Sequence, residues 1–303
     1  MHTLFQFLKW RLGFKPDNAQ PHFGTSAYVP VYVPPDLPRI NYPDPNKIQF
    51  TWIGHATFLI QVADMNILTD PIWSKRASPI SWAGPKRHAE PGLRFEDLPP
   101  IDLVLISHTH YDHLDRPTIL KLGNKPRHIV QERTKWWFAN ERITNVSEIS
   151  WWQSEKVREL TITAVPAKHW SKRGFFRTND AGWGGFVIES PQGVIYFAGD
   201  TGYHPDYFKD IGKRFPTIDL AFIPIGAYYP RAIFGRYHID PHEAVLVQQE
   251  TGAKRSIGMH WGTFKLTEEP LGEPPRALSR ETAAKGLLPE IFSVMKFGET
   301  RVL

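Results

Sequence analysis

The sequence predicts an α+β fold of the αββα type, in which two mixed β-sheets pack face to face and helices cover their outer surfaces. Short apolar runs typical of strands recur along the chain and are separated by a few helical segments. Several of these runs end in His or Asp, so polar side chains are expected where loops converge at one end of the sandwich. The 303 residues, 41% of them apolar, are enough for one large core.

The predicted elements follow from local periodicity and from helix start signals. Strands are predicted at 48–53, 57–63, 66–69, 102–107, 127–131, 161–165, 185–189, 194–198, 219–223 and 256–260. Helices are predicted near 116–122, 133–139, 241–251 and 278–286. The helix near 241–251 has the clearest start, because Pro241 follows the N-cap residue Asp240 and Glu243 places a negative charge in the first turn.

The segment 107–115 holds the strongest chemical signal. It contains three histidines and two aspartates directly after an apolar strand-like run. In extended backbone, His108 and His110 point the same way and can bind one ion, whereas Asp112 and His113 lie where the chain must turn and can face a second ion. Imidazole and carboxylate ligands together suit zinc, and also iron or manganese. The pattern therefore predicts a metal site at the tip of a strand.

The motif His-x-His-x-Asp-His resembles that of the metallo-β-lactamase superfamily of binuclear metallohydrolases. Further segments resemble the branch that contains N-acylphosphatidylethanolamine-hydrolysing phospholipase D; they are 52–60, 68–79, 82–87, 168–174, 183–186 and 238–245. The resemblance runs from about residue 47 to the end of the chain. It implies the metallo-β-lactamase type of αββα sandwich.

The resemblance also implies a complete ligand set, with later members again at the ends of strand-like runs. One metal is expected to be bound by His108, His110 and His169. The other is expected to be bound by Asp112, His113 and His260, with Asp200 bridging the two ions. Two divalent metals about 3.5–4 Å apart can hold a hydroxide nucleophile and polarise the substrate oxygen.

Other residues are expected to support this site. Asp70 and Asp115 are candidates to orient the ligand histidines, although Asp70 could instead cap a turn before Pro71. His55 either contacts the ligands from behind or closes a turn. The resemblance places His238 near the substrate, where it could hold a phosphate or donate a proton; the alternative is a loop histidine with only a hydrogen-bonding role.

The resemblance implies a zinc-dependent phosphodiesterase of phospholipase D type. In this interpretation a metal-bound hydroxide cleaves N-acylphosphatidylethanolamine or a related phospholipid to phosphatidic acid and N-acylethanolamine, with Asp112 and His238 as catalytic residues. One alternative is a metal-dependent hydrolase of a soluble substrate, such as a lactone or sugar-phosphate lactone. A non-catalytic protein with a degenerate site is disfavoured by the complete ligand set. Basic residues near the ligand loops could neutralise a phosphate: Lys172, Arg173, Arg177, Arg231 and Arg236.

Two regions are predicted, with residues 1–46 preceding a single catalytic domain at 47–303. On a helix, Leu4, Leu8 and Leu12 share one stripe beside basic and aromatic residues, which predicts an amphipathic helix over 1–15. Such a helix either makes peripheral contact with a membrane or docks on the protein's own body. The Pro-rich stretch that follows predicts an extended arm.

Composition excludes several classes of protein. The absence of cysteine rules out disulfides and cysteine-ligated zinc. No apolar run approaches 18 residues, which argues against a membrane-spanning helix, and no signal peptide is recognisable, so a cytoplasmic location is expected. The formal net charge of +5 is compatible with anionic substrates or membrane surfaces but is not a nucleic-acid signature. The sequence does not set the oligomeric state.

Overall fold

A computed structural model describes residues 27–174 and 177–303. In these ranges two seven-stranded sheets pack face to face, and a two-stranded ribbon lies apart from them. The predicted amphipathic helix at 1–15 and the start of the Pro-rich arm lie outside the described residues. Within the described ranges, no helix is both long and apolar enough to cross a bilayer.

The first sheet has the strand order β16-β1-β2-β3-β4-β5-β6. Its strands are β1 (Gln49–Gly54), β2 (Thr57–Val62), β3 (Met65–Thr69), β4 (Leu103–Ile106), β5 (Arg127–Gln131), β6 (Val146–Ile149) and β16 (Thr300–Val302). β16, β1, β2 and β3 pair antiparallel, whereas β3 to β6 are parallel. The sheet is therefore mixed.

The second sheet has the strand order β15-β14-β13-β12-β11-β8-β7. Its strands are β7 (Ser154–Val157), β8 (Leu160–Val165), β11 (Gly185–Ser190), β12 (Gly193–Phe197), β13 (Leu220–Pro224), β14 (Arg255–Met259) and β15 (Phe292–Ser293). Strands β12 to β15 are parallel, and β7, β8, β11 and β12 pair antiparallel. The separate ribbon consists of β9 (Lys172–Arg173) and β10 (Arg177–Thr178).

Helices cover the outer faces of both sheets. They are α1 (Leu37–Asn41), α2 (Arg116–Leu122), α3 (Lys135–Asn140), α4 (Pro205–Arg214), α5 (Arg231–Phe234), α6 (Pro241–Thr251) and α7 (Glu273–Ala284), with a 3₁₀ turn at Phe95–Asp97. The start of α6 is a capping box, in which Asp240 accepts from the Glu243 N–H and the Glu243 carboxylate accepts from the Asp240 N–H. The expected αββα sandwich is confirmed.

Burial of both sheet faces explains why the strands have continuous apolar sequences. Alternate side chains of the first sheet point into two different clusters: Phe58 packs between the sheets against Phe222, while Leu59 faces the outer helices. Because both faces are buried, alternation of polar and apolar residues disappears. Ile40 of the Pro-rich arm is also fully buried, in the outer cluster.

Several elements differ from the predictions. The helix predicted near 278–286 begins earlier, at Glu273, and the helix predicted near 133–139 spans Lys135–Asn140. Helix α4 and the edge strands β7, β15 and β16 lie where no element is predicted. The sequence of α4 does carry helix signals, because Phe208 and Ile211 lie three residues apart on its buried face, Pro205 begins it and basic residues end it, so this helix was predictable and was missed.

Candidate metal centre

The candidate site lies at the carboxyl ends of strands from both sheets. β4 leads into 107–115, and β8, β12 and β14 lead into His169, Asp200 and His260. Parallel strands of one sheet deliver their carboxyl ends to the same edge, so β12 and β14 bring Asp200 and His260 together. At the end of β12, Gly199 takes a φ of +61°, and a Cβ there would lie 2.7 Å from Ser107 Cβ. Glycine is thus required where this strand approaches the ligand loop.

Three histidines form the first ligand group. His108 Nε2 lies 2.9 Å from His110 Nδ1, which lies 3.2 Å from His169 Nε2. Two nitrogens bound tetrahedrally to one zinc at about 2.05 Å would be separated by about 3.3 Å. The observed spacing is close to this value, and the three ring nitrogens lie within 4.8 Å of one another. The geometry suits one small cation.

An aspartate and two histidines form the second group. Asp112 Oδ2 lies 3.4 Å from both His113 Nε2 and His260 Nε2. The three side chains are almost or entirely removed from solvent, with Asp112 the most exposed at 13%. The group therefore offers two imidazoles and one carboxylate oxygen to a second cation.

Asp200 lies between the two groups. Its Oδ2 is 3.2 Å from His113 Nε2 and its Oδ1 is 3.2 Å from His260 Nε2, both in the second group. The same Oδ2 is 3.9 Å from His108 Nε2 and 3.8 Å from His169 Nε2, both in the first group. One carboxylate thus contacts both ligand groups, as a bridging residue must.

Hydrogen bonds at Nδ1 set the tautomers of three of these histidines. His169 Nδ1 lies 2.9 Å from the Tyr237 carbonyl oxygen, which can only accept, so Nδ1 carries the proton. His113 Nδ1 lies 2.7 Å from Asp70 Oδ2, and His108 Nδ1 lies 2.9 Å from Ser107 Oγ. Each of these contacts leaves the Nε2 lone pair directed at the centre.

Asp70 orients two of these three histidines, His113 directly and His108 through Ser107. It accepts from the Ser107 N–H at 2.7 Å and from the Ser107 hydroxyl at 2.5 Å, in addition to the contact with His113. Because the Ser107 hydroxyl donates to Asp70, its oxygen accepts from His108 Nδ1. The carboxylate is fully buried, and the residue has a φ of 34°. These contacts favour the role of orienting His113 and His108 over that of capping the turn before Pro71.

Asp115 has a different role from the expected one. Its carboxylate accepts from the Ser74 hydroxyl at 2.7 Å and from the Thr118 hydroxyl at 2.6 Å. It is the N-cap residue of helix α2, and the hydrogen bonds described for its carboxylate go to Ser74 and Thr118 rather than to a ligand histidine. The expectation that Asp115 orients a ligand is therefore wrong.

His55 and His238 both contact the ligands. His55 Nε2 is 2.9 Å from Asp112 Oδ2, and its ring centroid is 4.0 Å from that of His260. Burial lowers the pKa of His55 to about 3, so the neutral ring donates to Asp112. His238 Nδ1 lies 3.8 Å from Asp200 Oδ2, and its side chain is 14% exposed. His55 thus lies behind the centre, and His238 lies at its more open side.

The electrostatics of the cluster favour cations. Burial opposes ionisation of Asp200, but the imidazoles of His113 and His260 outweigh it and hold the pKa of Asp200 well below its usual range. Among the described residues, buried polar atoms that make no hydrogen bond include His113 Nε2, His260 Nε2 and Asp200 Oδ1. These atoms face one another, and leaving each without a partner costs about 1–3 kcal/mol. The donor set therefore fits bound metal ions.

The basic residues expected near a phosphate are mostly engaged elsewhere. Arg231 donates to the His238 carbonyl at 2.8 Å and to Glu243 at 2.6 Å. Arg173 is 8% exposed, donates to the Thr109 carbonyl at 3.2 Å and lies over the Tyr111 ring. Arg177 lies over the Trp136 ring. Arg231 and Arg173 thus hold the loops that carry site residues.

A cavity of about 690 Å³ lies beside the ligand loop. Its walls include Tyr111 and Arg173, together with Ile80 from the loop after β3. Its volume is within the range of about 300–1,000 Å³ typical of small-molecule sites. Trp170, whose ring centroid lies 4.5 Å from that of His110, adds an aromatic wall near the ligands.

Two supporting groups were not predicted from the sequence. Ser107 precedes the motif and links Asp70 to His108, and its position next to the first ligand was a usable signal. The Tyr237 carbonyl that orients His169 is a backbone group, so residue type could not have revealed it.

Residues 65–261 match the family described as the Beta-lactamase superfamily domain. The chain belongs to the beta-lactamase superfamily. It is 40% identical over 228 residues to N-acyl-phosphatidylethanolamine-hydrolyzing phospholipase D 1 of Caenorhabditis elegans, which covers 71% of this chain and 64% of that protein. The chain thus spans just under two thirds of that relative's length.

Two other proteins are similar to this chain. The mitochondrial N-acyl-phosphatidylethanolamine-hydrolyzing phospholipase D of Saccharomyces cerevisiae is 34% identical over 236 residues, 75% of this chain and 50% of that protein. A metallo hydrolase from the archaeon Ignicoccus hospitalis KIN4/I superposes with a TM-score of 0.62 over 85% of this chain and 98% of that one, at 21% identity, which shows a shared fold. The resemblance predicted from the motifs is confirmed.

Proposed function

We propose that the protein is a binuclear zinc hydrolase of phospholipase D type, acting on N-acylphosphatidylethanolamine or a related phospholipid. The observation that carries this proposal is the pair of ligand groups joined by Asp200, each offering three further donors within coordination distance of one another. The sequence identity to the nematode and yeast phospholipases is the reason for proposing this substrate. The products would be phosphatidic acid and an N-acylethanolamine.

Each group of residues has a distinct task in this reaction. His108, His110 and His169 would hold one zinc, and Asp112, His113 and His260 the other, with Asp200 fixing their separation. When bound, such a pair of cations turns a water molecule into hydroxide at neutral pH and polarises the phosphoryl oxygen. Asp70, Ser107 and the Tyr237 carbonyl keep the Nε2 lone pairs aimed at the centre.

His238 is our candidate for direct contact with the substrate. It approaches Asp200 from the partly exposed side of the centre, whereas the ligands around it are buried. Hydrolysis breaks the bond between phosphorus and the ethanolamine oxygen, and that oxygen must receive a proton. We infer that the His238 imidazole binds a phosphoryl oxygen or directs the proton to the leaving oxygen. Arg231 positions this loop through the His238 carbonyl.

Hydrolysis of micellar N-acylphosphatidylethanolamine by zinc-loaded protein tests the proposal. The variant Asp200→Asn removes the bridging charge, and His88→Gln is the control because His88 is an exposed histidine that belongs to neither ligand group. Release of phosphatidic acid by wild type and His88→Gln, with at least about 100-fold less by Asp200→Asn, supports the assignment.

The same experiment can reject the lipid substrate. If zinc binds near two per chain and no phosphatidic acid appears, the phosphodiester assignment fails while the metal centre stands. Hydrolysis of a lactone by that same preparation, sensitive to Asp200→Asn, would then identify the protein as a hydrolase of a soluble substrate. Release of free fatty acid instead would place the cleaved bond at an ester or amide.

A further inference from the structure

The loop that follows strand β3 forms a closed hairpin over residues 75–87, here named the basic hairpin. Arg76 and Lys86 pair as an antiparallel bridge, and the Ala77 N–H donates to the Pro85 carbonyl at 3.0 Å. The Arg76 guanidinium donates to the Gly84 carbonyl at 2.6 Å. Gly84 has a φ of +92°, and a Cβ there would lie 2.7 Å from Ser78 Cβ. These contacts fix the shape of the hairpin's tip.

The tip exposes two large apolar side chains. Trp82 is 77% exposed and Ile80 is 43% exposed. Indole is most often well buried in a folded protein, and its amphipathic ring is also favoured where apolar and aqueous phases meet. The hydrogen bonds across the hairpin hold the backbone that carries these two exposed side chains.

Positive charge accompanies these apolar side chains on the hairpin. The hairpin contains Lys75, Arg76 and Lys86, in addition to the buried Arg87, and no acidic residue lies between residues 71 and 89. Lys75 and Lys86 are exposed. An exposed tryptophan next to unneutralised lysines is typical of segments that bind anionic lipid surfaces.

We propose that the basic hairpin docks on an anionic lipid bilayer, with Ile80 and Trp82 entering the boundary between headgroups and acyl chains. Lys75 and Lys86 would contact the anionic headgroups. Charge complementarity favours this partner over a second copy of the chain, because a two-fold contact through the same face would bring like charges together. The site is distinct from the predicted amphipathic segment at 1–15.

Docking in this way has a consequence for the cavity beside the ligand loop. Ile80 and Tyr111 line the same cavity, and Tyr111 lies between the ligands His110 and Asp112. A hairpin inserted at the tip would bring the mouth of that cavity to the membrane surface. The membrane proposal does not depend on the phosphodiester assignment, since binding can be measured on vesicles that contain no substrate.

Co-sedimentation of the full-length, zinc-loaded protein with vesicles tests the surface. Phosphatidylcholine vesicles are compared with vesicles that also contain phosphatidylglycerol. Ile80→Ser/Trp82→Ser should lower partitioning to the anionic vesicles at least about tenfold. Lys75→Gln/Lys86→Gln should lower it about fivefold per lysine and only on anionic vesicles, with the difference shrinking at high salt.

A matched control uses exposed apolar residues elsewhere. Tyr42 is 85% exposed and Leu288 is 61% exposed, and neither lies on the hairpin. Tyr42→Ser/Leu288→Ser should leave partitioning unchanged. Equal losses in both double variants would overturn the proposal, as would binding that depends only on Lys9→Glu/Trp10→Ser in the N-terminal segment.

A local probe decides where the membrane is contacted. Because the chain has no cysteine, Ser81→Cys carries an environment-sensitive fluorophore at the tip alone, and Leu288→Cys carries it at a control position. Vesicles should shift the emission to shorter wavelength at position 81 and not at 288. An unchanged spectrum at 81, or a shift that appears without lipid as protein concentration rises, would reject the bilayer and, in the second case, identify self-association.

Discussion

Asp70→Asn tests whether the hydrogen bonds behind the ligands set their metal affinity. Asp70 accepts three hydrogen bonds, from the Ser107 N–H, the Ser107 hydroxyl and His113 Nδ1. An asparagine of the same shape has one oxygen and one amide nitrogen. Whichever way it is turned, an N–H group faces the Ser107 N–H or the His113 Nδ1–H.

The clash is relieved most readily if the His113 proton moves from Nδ1 to Nε2. This tautomer lacks the Nε2 lone pair that faces the metal centre. The charge-assisted bond lost is worth about 1.5–3 kcal/mol. Loss of a supporting carboxylate lowers metal affinity about 10–100-fold, or about 1.4–2.8 kcal/mol. The two values agree, so we expect the second ligand group to lose zinc first, with activity falling in proportion.

Competition with a chelating dye measures the affinity of each site. Asp115→Asn is the matched control, because Asp115 is also a buried acid but accepts from Ser74 and Thr118 instead of a histidine. Its affinity for zinc should equal that of the wild type. The reasoning is refuted if Asp70→Asn retains wild-type zinc affinity, or if both variants lose it equally.

Three further predictions follow from other contacts. Arg231→Gln should lower kcat about 10–100-fold with zinc content unchanged, since Arg231 holds the loop of His238 and binds no metal; steady-state kinetics with metal analysis would contradict this if zinc were lost as well. Phe58→Ala should lower the free energy of unfolding in urea by about 3–5 kcal/mol, because the Phe58 ring centroid lies 4.1 Å from that of Phe222 between the sheets. A loss below about 1 kcal/mol would contradict this and show that neighbouring side chains fill the cavity. Burial lowers the pKa of His128 to about 4, so protonation favours the unfolded chain, and stability should fall as pH drops from about 6.5 towards 4 by up to about 1.4 kcal/mol per pH unit. His128→Gln should lack that increment when the two proteins are compared at pH 7 and 5.

The strands were predictable because the sandwich buries both faces of its central strands. β2 and β4 are buried at every position, so each reads as an apolar run whatever its register. β7 alternates between exposed and half-buried positions and contains Glu155 and Lys156, so its sequence resembles a loop. Such edge strands are stabilised by tertiary packing rather than by local pattern, which is why periodicity did not find them. Helix α4, in contrast, has an amphipathic pattern that could have been recognised.

The contrast between Asp70 and Asp115 shows what the sequence of a site does and does not determine. Both acids lie next to strand-end motifs, and the sequence offered both as candidates. The register of the first sheet distinguishes them: Thr69 pairs with Leu105, and the Asp70 N–H donates to the Leu105 carbonyl at 2.9 Å. Parallel strands in this register place the residue after β3 beside the start of the ligand loop. Proximity across neighbouring strands, rather than along the chain, therefore selects the acid that orients the ligands.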